Sequence, residues 1–168
     1  MTEQIIDHHS VSIVLQGPIT QENQSLICLN IKTWRANLPE AEIIVSATTI
    51  NDRKALNASH SRPPSSEEVE FSLLMETIKK CNAKLICPAP SFAYPAMKID
   101  SPGPNNINFM IGAAKAGLFA ARRKFILRIR NDLVFCSTRF IDFYNKYLGS
   151  YRRDKWTIFS QPILIGEV

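Results

Sequence analysis

Two short polar clusters, each following an apolar run, carry groups suited to an anionic ligand. Gln16-Gly17-Pro18 comes directly after Val11-Ser12-Ile13-Val14-Leu15. It offers a side-chain amide, a glycine that permits close backbone approach and, with Thr20, a hydroxyl at a helix start. Arg130-Asn131-Asp132 closes the run Lys124-Phe125-Ile126-Leu127-Arg128-Ile129. A carboxylate and an amide beside guanidinium groups can hold a divalent cation and the phosphates that it bridges. All-oxygen ligation suits Mg²⁺ or Mn²⁺, with Asp132 as the metal ligand. Simpler readings stand beside these. Gly-Pro makes ordinary turns, and Asp132 can pair on the surface with Arg128 or Arg130 or cap an Asx turn. The chain has no Walker A sequence, no G-x-G-x-x-G and no G-x-S-x-G, so P-loop, ordinary dinucleotide-binding and α/β-hydrolase readings lose their main support.

The elements that must position these clusters alternate between strand and helix. Val11–Leu15 reads as a first buried strand that stops at Gly17-Pro18, because proline cannot continue a central ladder. Thr20 caps a helix to about Ala36, with Leu26, Ile27, Ile31 and Trp34 on its apolar face. Ala41–Ser46 is a second strand, which completes a βαβ unit and implies a parallel sheet. A polar stretch from Thr48 to Glu68 reads as a surface loop, followed by a helix over Glu67–Cys81 and a short strand at Lys84–Cys87. Pro88–Pro104 holds five of the ten prolines, which marks a shaped surface loop whose Phe92 and Tyr94 could close over a ligand.

Asn105 or Asn106 opens a helix through Ala121. Ile107, Met110, Ile111, Ala114 and Leu118 lie along one side, and Gly112, Ala113 and Gly117 allow a close neighbour. Residues 124–132 alternate Phe125, Leu127 and Ile129 against Ile126, Arg128 and Arg130, the pattern of a strand. Ser137 or Thr138 caps a helix to Tyr147, and Trp156–Ser160 is a last strand before the apolar tail Ile163-Leu164-Ile165. Trp34, Phe119, Phe125, Trp156 and Phe159 read as core at these spacings. The fold class is therefore α/β, an open, mostly parallel sheet flanked by helices, in one domain over residues 1–168. Ligands of such sheets bind outside the carboxyl ends of the strands, where both polar clusters fall.

Composition narrows the choices. The net charge of +5, from 20 basic and 15 acidic residues, suits an anionic ligand as readily as nucleic acid. No aromatic-basic motif or helix-turn-helix pattern accompanies it, so no nucleic-acid partner is expected. Cys28, Cys81, Cys87 and Cys136 are scattered and read as buried thiols. No stretch reaches the 18 or so apolar residues of a membrane span, and the N-terminal residues do not read as a signal peptide. A cytoplasmic setting follows, with peripheral association at the inner face of a membrane left open. His8 and His9 read as solvated rather than metal-bound.

Several blocks occur in a telling order: Val11–Pro18; Leu38-Pro39-Glu40-Ala41-Glu42-Ile43-Ile44-Val45-Ser46; Pro102-Gly103-Pro104-Asn105-Asn106-Ile107-Asn108; Ala116-Gly117-Leu118; and Ile126–Asp132. In this order they resemble the WavE family of lipopolysaccharide-synthesis proteins. The resemblance implies a glycosyltransferase-like domain of the GT-A (Rossmann-type) kind. A nucleotide-sugar donor would lie over the strand ends and a saccharide acceptor beside it, with Asp132 holding a divalent cation against the diphosphate. It also implies nucleotide-sugar contacts from Gln16, Gly17, Pro18, Asn106, Asn108, Arg128, Arg130 and Asn131. No residue is assigned as catalytic base, since Glu167 stands too near the terminus. The chain is expected to lack the acceptor-side strands of a full enzyme, which keeps open a non-catalytic nucleotide- or saccharide-binding module, or an assembly partner whose apolar tail needs cover. Convergence of Asp132 and Gln16 on one cleft is the feature that distinguishes a donor site.

Overall fold

The computed structural model describes residues 6–48, 66–88, 107–134 and 137–147. Asn106, Phe92, Tyr94, Cys136, Trp156–Ser160, Ile163–Ile165 and Glu167 lie outside them. In chain order the elements are β1 (Val11–Pro18), α1 (Gln24–Asn37), β2 (Glu42–Thr48), α2 (Ser66–Lys80), β3 (Ala83–Ile86), α3 (Ile107–Ala120), β4 (Phe125–Arg130) and α4 (Arg139–Tyr147). Short 3-10 turns at His8–Ser10 and Gln21–Asn23 precede β1 and α1.

The four strands form one parallel sheet in the order β3-β2-β1-β4. The chain steps outward from β1 through β2 to β3, then crosses back so that β4 pairs with the other side of β1. Both sides of β1 are therefore covered, and its first six residues are all buried. The strand ends at Gly17-Pro18, as expected, and includes both residues. Pairing with β4 ends at Gln16–Arg130 while pairing with β2 continues to Pro18–Thr48, so the missing proline N–H leaves no β4 partner unsatisfied.

Alternation along the strands sorts the two faces. On one, Val11, Ile13, Leu15, Ile43, Val45 and Ile129 join Ile27, Ile31 and Trp34 of α1, Leu74 and Ile78 of α2 and Ile141 of α4 in the main core. Each such side chain, fully buried, contributes about 1.5–3 kcal/mol. Trp34 packs edge-on against Phe140, with ring centroids 6.3 Å apart. The helix itself starts four residues after Thr20, which instead precedes the 3-10 turn; the Thr20 N–H donates to Asn23 Oδ1 at 2.9 Å.

The opposite face is covered by α3, which approaches it through two of the three small residues expected to allow a close neighbour. The side of α3 that meets the sheet is the small one: Ala113 is buried and its carbonyl accepts from Ser46 Oγ at 2.6 Å. A Cβ on Gly117 would lie 2.4 Å from Val14 Cγ1. Gly112, by contrast, has nothing near its missing Cβ, so only Ala113 and Gly117 serve close packing. The large apolar residues Ile107, Met110, Ile111 and Leu118 are exposed, and Phe119, expected in the core, is 80% exposed. Small residues let the helix backbone settle onto the sheet, which turns the bulky stripe away. Of the described cysteines only Cys28 is buried, and Cys87 is exposed; it follows β3, an outer strand among those described, whose side chains are only partly covered.

Candidate functional site

The crossover that sends β4 to the far side of β1 creates a point where the strand order reverses. At such a point a crevice can open beyond the carboxyl ends of the strands. A cleft of about 710 Å³ lies there, bordered by Gln16, Gly17 and Pro18 from β1 and by Arg128, Arg130, Asn131 and Asp132 from β4 and the turn after it. Gln16 and Asp132 thus converge on one cleft, of a size common for small-ligand sites. The sequence clusters meet because the parallel register sets Gln16 beside Arg130.

Within the cleft the side chains divide into struts and open groups. Gln16 is buried and uses both ends of its amide: Nε2 donates to the Met110 carbonyl of α3 at 2.7 Å, and Oε1 accepts from Arg128 Nε. It therefore fixes the root of the Arg128 guanidinium. Asn131 is 1% exposed. Its backbone N–H donates to the Gln16 carbonyl at 2.9 Å and its Nδ2 to the Pro18 carbonyl at 2.8 Å, which laces the end of β4 to the end of β1. Asn30 of α1, fully buried, donates from Nδ2 to the Leu133 carbonyl at 2.7 Å and holds the same turn from below. Gly17 has φ +155°, and a Cβ there would meet Asn131 Oδ1 at 2.2 Å. The glycine is required by the close approach of the Asn131 amide.

Asp132 takes the surface-pair reading. Arg130 Nε and Nη2 donate to its two carboxylate oxygens, and this hydrogen bonding holds the carboxyl below the usual carboxylate range. As a metal site, the described residues do not fit. Asp132 is the cleft's single carboxylate among them, both of its oxygens are engaged by a cation, and the Asn131 amide is turned inward. Nor does any group of three or more His, Cys, Asp or Glu gather among the described residues.

Asn108 sits in the first turn of α3 and does not border the cleft among the described residues. Two residues that sequence reasoning passed over do border it, Ser137 and Arg139. Arg139 is the first residue of α4, and its N–H donates to Ser137 Oγ at 3.2 Å. The available signal was a cation two residues after a capping serine, since a positive charge at a helix N-terminus opposes the macrodipole unless an anion joins it. Neither Arg128 nor Arg139 has a carboxylate partner among the described residues.

The comparisons add no assignment: set against protein families, curated proteins and solved structures, the chain matches none. No described helix is long and apolar enough to cross a membrane.

Proposed function

We propose that this cleft binds the diphosphate of a nucleotide sugar, in the service of sugar transfer to a lipopolysaccharide or other cell-envelope saccharide. The observation that carries the phosphate part is the set of three guanidinium groups, Arg128, Arg130 and Arg139, around one cleft at the strand-order reversal. An anion there would offset the charge of Arg139 and the positive end of α4 together. In transfer, an acceptor hydroxyl oxygen bonds to the anomeric carbon and releases its proton to solvent while the bond between the sugar and the diphosphate breaks with its electron pair left on the diphosphate oxygen, and fixed cations stabilise that developing charge. Gln16, by holding Arg128 before ligand arrives, reduces the reorganisation this stabilisation requires. The sugar-transfer part rests on the ordered blocks that resemble the WavE family.

A second reading, a nucleotide- or saccharide-binding module without catalysis, is favoured by the Arg130–Asp132 pair. It engages the carboxylate that a metal-assisted transfer would otherwise draw on. Calorimetric titration of nucleoside diphosphates, with and without Mn²⁺, tests both. Arg128→Met and Arg139→Met should each weaken binding about tenfold to a hundredfold, the usual worth of a charge-assisted hydrogen bond. Asp132→Ala should tighten metal-free binding by releasing Arg130; a metal-dependent affinity that this variant abolishes would restore Asp132 as a cation ligand. A folded wild type that binds no nucleoside diphosphate overturns the proposal.

A further inference from the structure

From residue 107 to residue 131 the chain carries six cations and no carboxylate. This segment is α3, the turn after it and β4, and it also holds most of the large apolar side chains left exposed on the described surface. Met110, Ile111, Leu118 and Phe119 of α3 and Ile126 of β4 are all exposed. A groove of about 660 Å³ runs between the outward side of α3 and Arg128 of β4. Lys115 borders it with its Nζ 5.8 Å from the centroid of the Phe119 ring. At the lower end of α3, Arg122, Arg123 and Lys124 are exposed. Glu42 accepts from the Arg122 N–H but is itself paired with Lys84, so it does not offset the basic cluster.

We propose that this α3–β4 face docks on the surface of an anionic lipid bilayer. An exposed apolar stripe framed by lysine and arginine matches the boundary between headgroups and acyl chains: bulky side chains enter the apolar layer while cations meet lipid phosphates. Phe119 is the residue best placed to insert. A second copy of the chain is the poorer occupant, because an isologous contact would set this uniformly basic face against itself. A polyanion such as nucleic acid would satisfy the cations but leave the apolar stripe in water. Met110 and Arg128 border both the groove and the strand-end cleft, so docking would bring the cleft's mouth to headgroup level. The inference stands on the surface alone and does not require any particular ligand in the cleft.

Co-sedimentation of the full chain with vesicles of phosphatidylcholine, alone or mixed with phosphatidylglycerol, tests it. Binding is expected only to the mixed vesicles, falling at high salt as the charges are screened. Replacing Arg122, Arg123 and Lys124 together by glutamine should lower the partition about a hundredfold, at the usual worth of a basic residue near an anionic surface. Phe119→Ser should lower it about tenfold or more, since the loss is that of one buried aromatic side chain. Neither change touches the cleft, so circular dichroism and nucleoside diphosphate titration should match wild type. The proposal is overturned if wild type ignores anionic vesicles, or if the variants partition as wild type does. A concentration-dependent doubling of mass that Phe119→Ser abolishes would also overturn it, assigning the face to a second copy.

Discussion

Gly17→Ala should be among the most damaging single-methyl additions in this fold. The new Cβ would lie 2.2 Å from Asn131 Oδ1 and 2.7 Å from Asn131 Cγ, and the backbone there has φ +155°. Asn131 cannot simply step aside, because it is 1% exposed and its Nδ2 is bonded to the Pro18 carbonyl at 2.8 Å. Backbone strain for a residue with a side chain costs about 1–3 kcal/mol. Displacing the buried amide from its acceptor costs about 1–3 kcal/mol more. The sum is about 4 kcal/mol, or a fall in Tm of about 8–16 °C for a chain of this size. Thermal and urea unfolding, followed by circular dichroism, measure it directly. Asn131→Ala removes the clashing atoms, so the double variant should cost about 1–3 kcal/mol less than the sum of the singles. A Gly17→Ala protein within about 1 kcal/mol of wild type, or strict additivity in the cycle, would refute the close-approach reasoning.

Two further outcomes follow from the packing. Burial alone would raise the Glu42 carboxyl, but hydrogen bonds from Lys84, Ser12 and the Arg122 N–H, with the Lys84 charge, outweigh it and hold it at about 2. A depressed carboxyl stabilises the fold above its unfolded value and loses that contribution as pH falls from about 4.5 to about 2. After discounting for solvent screening the loss is about 2 kcal/mol, and acid titration of stability should show it in wild type but not in Glu42→Gln. On α3 the two glycines should respond in opposite directions. Gly112→Ala, with open space at its Cβ, should stabilise by about 0.5–1 kcal/mol through helix propensity. Gly117→Ala, pressed on Val14 and Ser46, should destabilise by about 1–3 kcal/mol through overpacking; chemical unfolding of both variants compares the signs.

Local periodicity alone specified much of this protein. The alternation of Phe125, Leu127 and Ile129 with Ile126, Arg128 and Arg130 identified β4 and its two faces, since side chains on a strand alternate whatever the neighbours. The spacing of Ile27, Ile31 and Trp34 identified the buried side of α1, and the βαβ succession implied a parallel sheet. The end of β1 and the end of β4 were both legible as polar clusters after apolar runs. What no local pattern could specify was which partner each group would choose. Arg130 rather than Arg128 pairs with Asp132, because Gln16 already holds Arg128 across the β1–β4 register. Asn131 became a strut between strand ends rather than an open amide, because the parallel pairing delivers the Pro18 carbonyl to it. The orientation of α3 was legible in part: Ala113 and Gly117 marked a side of close approach, but only the sheet decided that this side is buried and the bulky one exposed, since contact area is gained where the backbone comes closest. Sequence names the groups with chemistry; the crossover of β4 past β1 decides which of them face one another.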